Sequence, residues 1–306
     1  MHVHVTPGAY LDELRRISQG RPLGTVPSSI DGLCELMERF ELDGAVFSPG
    51  PPGVFFGEQG RANELARAVN EETAALVRSN RERMAALAIL PLPDVEAALD
   101  ELANALDVLE LDGVFLLSNV AGTYLGDPAW GPLFDELERR RAYVFLHPAM
   151  PPHPLPLAHH PVWLYEFTFD TTRALVQLIY SGTLERCPNV RIQVAHLGGT
   201  APFLAHRIAS LADREPALAD QAPAGALEYL RRLYYDTGLS NNAVALASTL
   251  EVTPLEHVVF GSDWPYAALP TQGSDPAPAL DSLGTGRAAV DGGNAAALVP
   301  RLVTAG

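Results

Sequence analysis

The chain has 306 residues, 47% hydrophobic and 19% charged, a balance that fits a globular protein built as one large barrel or two smaller domains. Its formal net charge is −16, which argues against broad binding to nucleic acid or anionic membranes, since both require a basic surface. All 21 basic residues are arginine, which excludes a Schiff-base lysine, a pyridoxal-phosphate enzyme, a Walker A loop and a metal pair bridged by a carboxylated lysine.

Short β-type runs alternate with helical patterns along the chain. Strands are predicted at His2–Val5, Gly44–Ser48, Met84–Leu90, Gly113–Leu117, Tyr143–His147, Arg191–His196, Leu233–Thr237 and His257–Ser262. Several are nearly unbroken apolar runs, as parallel strands buried on both faces require. Between them, Ser28-Ser29 opens a helix around Cys34–Phe40, and Arg61–Asn80 reads as a long helix with a polar face. Asp94 caps Val95–Leu109, where Leu99, Leu102 and Leu106 recur at helical spacing. Asp127-Pro128 opens Leu133–Arg141, and further helices are expected at Thr171–Leu184, Pro202–Ala212, Asn242–Leu250 and Asn294–Leu302. Eight strands, each followed by a helix, predict a single α/β domain over residues 1–306, a (β/α)8 TIM barrel. Met150–Pro161 is proline-rich and reads as a rim loop after the fifth strand; Thr271–Thr285 reads as a loop before the C-terminal helix.

Cys34 and Cys187 form no metal-like pair, and no basic segment followed by an apolar run marks a signal peptide. Apolar stretches stay near ten residues, short of the roughly 18 that span a bilayer. A cytoplasmic protein is the expectation.

Chemistry gathers where apolar strands end. His2 and His4 share one face of the first strand by period-two alternation, His147 ends YVFLH, His196 ends RIQVAH, and Asp263 follows VVFGS. In a barrel these ends meet at the catalytic mouth. His2, His4, His147 and Asp263 then make an N/O set suited to one divalent ion, with zinc expected and manganese as the alternative. Aromatic residues crowd the same loops: Phe55, Phe56, Tyr124, Trp163, Tyr165, Phe167, Trp264 and Tyr266. Phe55 and Trp264, closest to strand ends, are the foremost pocket candidates, with Tyr124 and Tyr165 beside them. His153, His159, His160, His206 and His257 read as loop or surface residues.

His2-Val-His4, His147-Pro148, His196-Leu-Gly-Gly199 and Gly261-Ser-Asp263-Trp-Pro265 resemble the amidohydrolase superfamily. The branch most similar is that of aminocarboxymuconate semialdehyde decarboxylase, and PLPDVEAALDELANALDVLELDG followed by SNVAGTYLGDP is similar to 6-methylsalicylate decarboxylases. The resemblance implies that His2, His4, His147 and Asp263 bind one metal ion, with His196 beside it as a general acid/base. It also implies that Arg207, eleven residues after His196, holds a substrate carboxylate from a neighbouring subunit in a homodimer or larger homo-oligomer. The expected activity is non-oxidative decarboxylation of a small anionic aromatic acid, with Asp263 donating the proton and His196 assisting. The alternative is a mononuclear metal-dependent hydrolase of a lactone, amide or C–C bond. Only Met1 precedes His2, so a frayed first strand and partial metal occupancy are expected.

Overall fold

The computed structural model describes residues 1–21, 23, 26–153, 160–212 and 214–302. Eight parallel strands follow one another in chain order around a sheet: β1 (Val3–His4), β2 (Ala45–Ser48), β3 (Met84–Ile89), β4 (Gly113–Leu117), β5 (Tyr143–His147), β6 (Arg191–Val194), β7 (Tyr234–Asp236) and β8 (Val258–Val259). All eight predicted strands are present, several shorter than expected. The chain after β8 closes the barrel: Val3 bridges Trp264, the His4 amide donates to the Trp264 carbonyl at 2.9 Å, and the Asp263 amide donates to the His2 carbonyl at 2.8 Å.

That closure overturns the expected fraying of the first strand. The Met1 ammonium donates to the Phe260 carbonyl at 2.8 Å, Val3 and His4 pair with Phe47 and Ser48, and His2 is fully buried. Backbone bonding on both sides pins the short strand.

The principal outer helices are α1 (Gly8–Ser18), α2 (Ile30–Arg39), α3 (Gln59–Arg78), α4 (Val95–Ala103), α5 (Gly131–Arg140), α6 (Glu166–Tyr180), α7 (Ala201–Ala212) and α8 (Ala243–Leu250). Local signals account for several of them. The Ser29 hydroxyl accepts from the Gly32 amide at 3.1 Å to start α2, whose Leu33, Leu36 and Met37 form a buried stripe. Asp94 caps α4 and Asn242 caps α8 in the same way. The sequence reading missed α1. It also placed a helix at Asn294–Leu302, where the chain forms only short 3-10 turns (Gly293–Ala297 and Pro300–Leu302); Gly292 and Gly293 favour no helix and Pro300 lacks an amide donor. Part of the predicted 271–285 loop is likewise wound into 3-10 turns, over Pro278–Gly286. Residues 154–159 of the proline-rich segment, His159 included, lie outside the described residues.

One ion-pair cluster joins α1 to α3. The buried Glu13 carboxylate accepts from Arg16 (2.8 and 2.6 Å) and from Arg61 (2.8 and 2.6 Å). Hydrogen bonds from Arg16 and then Arg61, working against burial, hold its pKa down at about 2. A folded-state value below the unfolded one means the stabilisation is present above pH 4.5 and is lost as pH falls toward 2. Both guanidinium groups are about half exposed (52% and 45%), so solvent screening limits the effect to about 1 kcal/mol or less. Glu13→Gln is therefore expected to cost that amount in urea melts at pH 7, with the gap from the natural chain narrowing by pH 3. A gap unchanged at pH 3 would refute the assignment.

Candidate active site

Side chains from four strand ends and the closing segment converge at the C-terminal mouth of the barrel. His2 Nε2, His4 Nε2 and Asp263 Oδ1 form a triangle with edges of 3.2, 3.1 and 3.3 Å. Three donors bound to one zinc at about 2.0–2.1 Å in tetrahedral geometry lie about 3.3 Å apart, so this triangle has the size of one face of a metal shell. His2, His147, His196 and Asp263 each offer an atom within 4.8 Å of the others, and all four are buried. Asp263 Oδ1 is buried without a hydrogen-bond donor, an expensive arrangement for a carboxylate unless a cation meets it. The residues fit a divalent ion.

The outer partners of the histidines support the same reading. His2 Nδ1 donates to Asp236 Oδ1 at 2.9 Å, and His147 Nδ1 donates to the Pro148 carbonyl at 2.8 Å. His4 Nδ1 lies 3.1 Å from the Ser48 hydroxyl. With Nδ1 engaged outside, Nε2 of these rings is the nitrogen left to face inward, the arrangement that metal-binding histidines use. His196 differs: its Nε2 lies 3.1 Å from Asp263 Oδ2, and its buried Nδ1 has no partner. Asp263 thus presents one oxygen to the His2–His4 pair and the other to His196.

Electrostatics show how strongly positive charge is favoured here. Burial opposes charge on His2, yet the carboxylates of Asp236 and Asp263 outweigh it and push its pKa up to about 10. Burial also pushes Asp263 upward, but His2 and His196 hold it well below the usual carboxylate range. His147 is driven well below its ordinary value by burial, then by His4, His2 and His196. The floor is apolar: Phe145 packs 4.8 Å from the His2 ring and Phe115 5.5 Å from the His147 ring. Two site residues hold left-handed backbone conformations, His196 at φ 57° and Asp263 at φ 56°. Such conformations cost about 1–3 kcal/mol each and persist where surrounding structure imposes them.

Above this cluster lies a cavity of about 1490 Å³ whose walls are mostly apolar; Phe55, Leu117, Trp163, Phe167 and Leu239 contribute, and His147, His196 and Asp263 reach into it. No arginine lines it among the described residues. Phe55 is where the sequence placed it, but three other candidates are not. Trp264 pairs with Val3 as the closing strand and packs on Gly32 of α2, on the helix-facing side. The Tyr124 hydroxyl donates to Asp170 at 2.5 Å, and the Tyr165 ring meets Phe169 at 6.5 Å. Arg207 is exposed on α7 and does not line this cavity. His153, read as a surface residue, is exposed yet contributes to the cavity wall.

Two residues of the site escaped sequence reasoning. Asp236 ends β7, one residue short of the predicted strand end at Thr237, and is completely buried behind His2. Ser48 ends the second strand behind His4.

The amidohydrolase family profile matches residues 1–301, so the chain belongs to the amidohydrolase family. The 6-methylsalicylic acid decarboxylase of Penicillium expansum is 32% identical over 277 residues, covering 87% of this chain and 84% of that protein. A solved amidohydrolase II structure superposes with a TM-score of 0.87 at 26% identity, covering 98% of each chain. A dihydroxybenzoic acid decarboxylase from Polaromonas sp. JS666, solved with bound manganese and the inhibitor 2-nitroresorcinol, shares the fold with a TM-score of 0.80 at 20% identity, covering 98% of this chain and 96% of that one. No helix among the described residues is long and apolar enough to cross a membrane.

Proposed function

We propose that the chain is a metal-dependent, non-oxidative decarboxylase of a small hydroxybenzoate such as 6-methylsalicylate. The observation that carries this is the double use of Asp263: Oδ1 joins His2 and His4 in a triangle of metal-shell size, while Oδ2 lies 3.1 Å from His196 Nε2. The similarity to 6-methylsalicylic acid decarboxylase supports the choice of reaction. No observation favours hydrolysis in its place.

His2, His4, His147 and Asp263 would hold the ion, zinc in our reading with manganese as the alternative. When bound, a divalent ion supplies a Lewis acid for a carboxylate and the neighbouring phenol oxygen of the substrate. The chain's own residues do the rest. The apolar wall with Phe55 takes the ring and excludes water. Asp263 Oδ2 and His196 Nε2 hold one proton between them and deliver it to the ring carbon that bears the carboxylate. The C–C bond to the carboxylate then breaks, its electron pair restores the aromatic ring, carbon dioxide leaves, and the pair regains a proton from solvent. Arg207 is exposed and does not line this cavity, and its hold on a substrate carboxylate across a homodimer is part of the proposal, together with a cytoplasmic location.

Metal-loaded protein incubated with 6-methylsalicylate is expected to give 3-methylphenol and carbon dioxide in equal amounts. Absence of both from protein shown to contain the metal would reject this substrate, and activity on a lactone instead would reject the reaction.

A further inference from the structure

We propose that Asp170 is a positioning residue for the cavity: its buried carboxylate ties the hairpin at 119–124 to the turn after β5 and so fixes one wall of the substrate site. Asp170 lies on α6, fully buried, and contributes nothing to the cavity surface itself. A buried carboxylate is tolerated only where donors converge on it. Here three donors come from one loop: Asp170 Oδ2 accepts from the Ser118 hydroxyl and from Asn119 Nδ2 (2.9 Å), and Oδ1 accepts from the Tyr124 hydroxyl at 2.5 Å. Arg173, one turn along the helix, is 3.9 Å away and is also paired with Glu166.

Two of those donors also hold the second loop. The Ser118 hydroxyl oxygen accepts from the Ala149 amide at 2.8 Å, and Asn119 Nδ2 donates to the Met150 carbonyl at 3.1 Å. Because the Ala149 N–H occupies a lone pair of that hydroxyl, its proton is directed to Asp170. The wall includes Asn119, Ala121, Gly122 and Thr123 of the hairpin with Ala149 and Met150 of the turn. Ser118 further donates its amide to the carbonyl of His147 at 2.8 Å, so this wall adjoins a proposed metal ligand. One carboxylate therefore sets the spacing between two wall segments, and its removal releases both together. Tyr124 serves the wall through Asp170, with its hydroxyl turned away from the substrate.

The test compares the natural chain with Asp170→Ala, Asp170→Asn and Tyr124→Phe. Amide exchange over 118–124 and at Ala149 is expected to accelerate in Asp170→Ala, while metal content per chain stays the same. With 6-methylsalicylate, KM is expected to rise about tenfold with kcat within about threefold, since displaced walls cost binding before chemistry. Asp170→Asn is expected to fall between, because a carboxamide oxygen still accepts from Ser118 and Asn119; Tyr124→Phe is expected to raise KM about two- to threefold. A purely structural role would lower the folded fraction and leave the KM of the folded protein unchanged. Unchanged exchange in the Asp170 variants, or a KM of theirs within about twofold of the natural chain, would overturn the proposal. If Asp170→Ala does not fold, the other two variants carry the same readouts. The KM readout rests on the decarboxylase reading; if the natural chain turns over no aromatic acid, that reading fails, and the exchange data decide the anchoring by themselves.

Discussion

Asp263→Asn is expected to lower kcat by about 10³-fold or more and to strip the protein of most of its metal on dialysis. The substitution preserves shape and removes charge, so the loss reports chemistry rather than packing. Oδ1 lies 3.1 Å from His2 Nε2 and 3.3 Å from His4 Nε2, and Oδ2 lies 3.1 Å from His196 Nε2. A carboxamide has one oxygen to serve both sides. With its NH2 toward the histidine pair it points hydrogens where the cation belongs; with its NH2 toward His196 it cannot carry the shared proton. Metal analysis and turnover measured on the same preparation separate the two failures. Retention of a full metal complement with more than about a tenth of the activity would refute both assigned roles.

Asp236→Asn is the second large effect, and it touches neither substrate nor metal. Asp236 Oδ1 accepts from His2 Nδ1 at 2.9 Å and from the Gly238 amide at 2.9 Å, while Oδ2 accepts from Gln193 Nε2 at 2.7 Å. All these partners are donors, so a carboxamide must set its own N–H groups against at least one of them inside a fully buried site. A buried donor left unsatisfied costs about 1–3 kcal/mol. The His2 ring also loses the acceptor that fixes its tautomer and raises its basicity, a loss that typically weakens metal binding by about 10–100-fold. A metal titration and a thermal melt read the two parts independently. Unchanged metal affinity would remove Asp236 from the site whatever happens to the melting temperature.

The barrel was legible because its signals are local and repeated. Each strand is a short apolar run, and runs such as Tyr143–His147 end in a polar residue at the mouth. The same rule fixed the gathering of His2, His4, His147, His196 and Asp263. Trp264 shows that rule applied too loosely: the closing segment pairs as a strand, so a residue next to an inward-facing Asp263 faces outward toward α2. Tyr124 and Tyr165 were out of reach for a different reason. Their directions are set by partners about 46 residues away or by neighbours on a helix start, and no period in the local sequence encodes such contacts. Asp236 lies inside the predicted strand Leu233–Thr237, whose true end one residue earlier was not evident, and a carboxylate there gives no sign of the imidazole 234 residues earlier that it serves.

The closure of the barrel joins the start of the chain to its far end, and the proposed metal set joins them at the same place. On a ribosome adding about 5–20 residues per second, His2 and His4 emerge roughly 10–50 s before Asp263 can meet them. With these ligands, the proposed site would be complete only once Asp263 has emerged. An ion held by the proposed set would then act as a clasp between the first strand and the closing segment. Metal supply in the cell would then govern how long the finished barrel stays closed, because a ligand bound only to the closed form draws the equilibrium toward it.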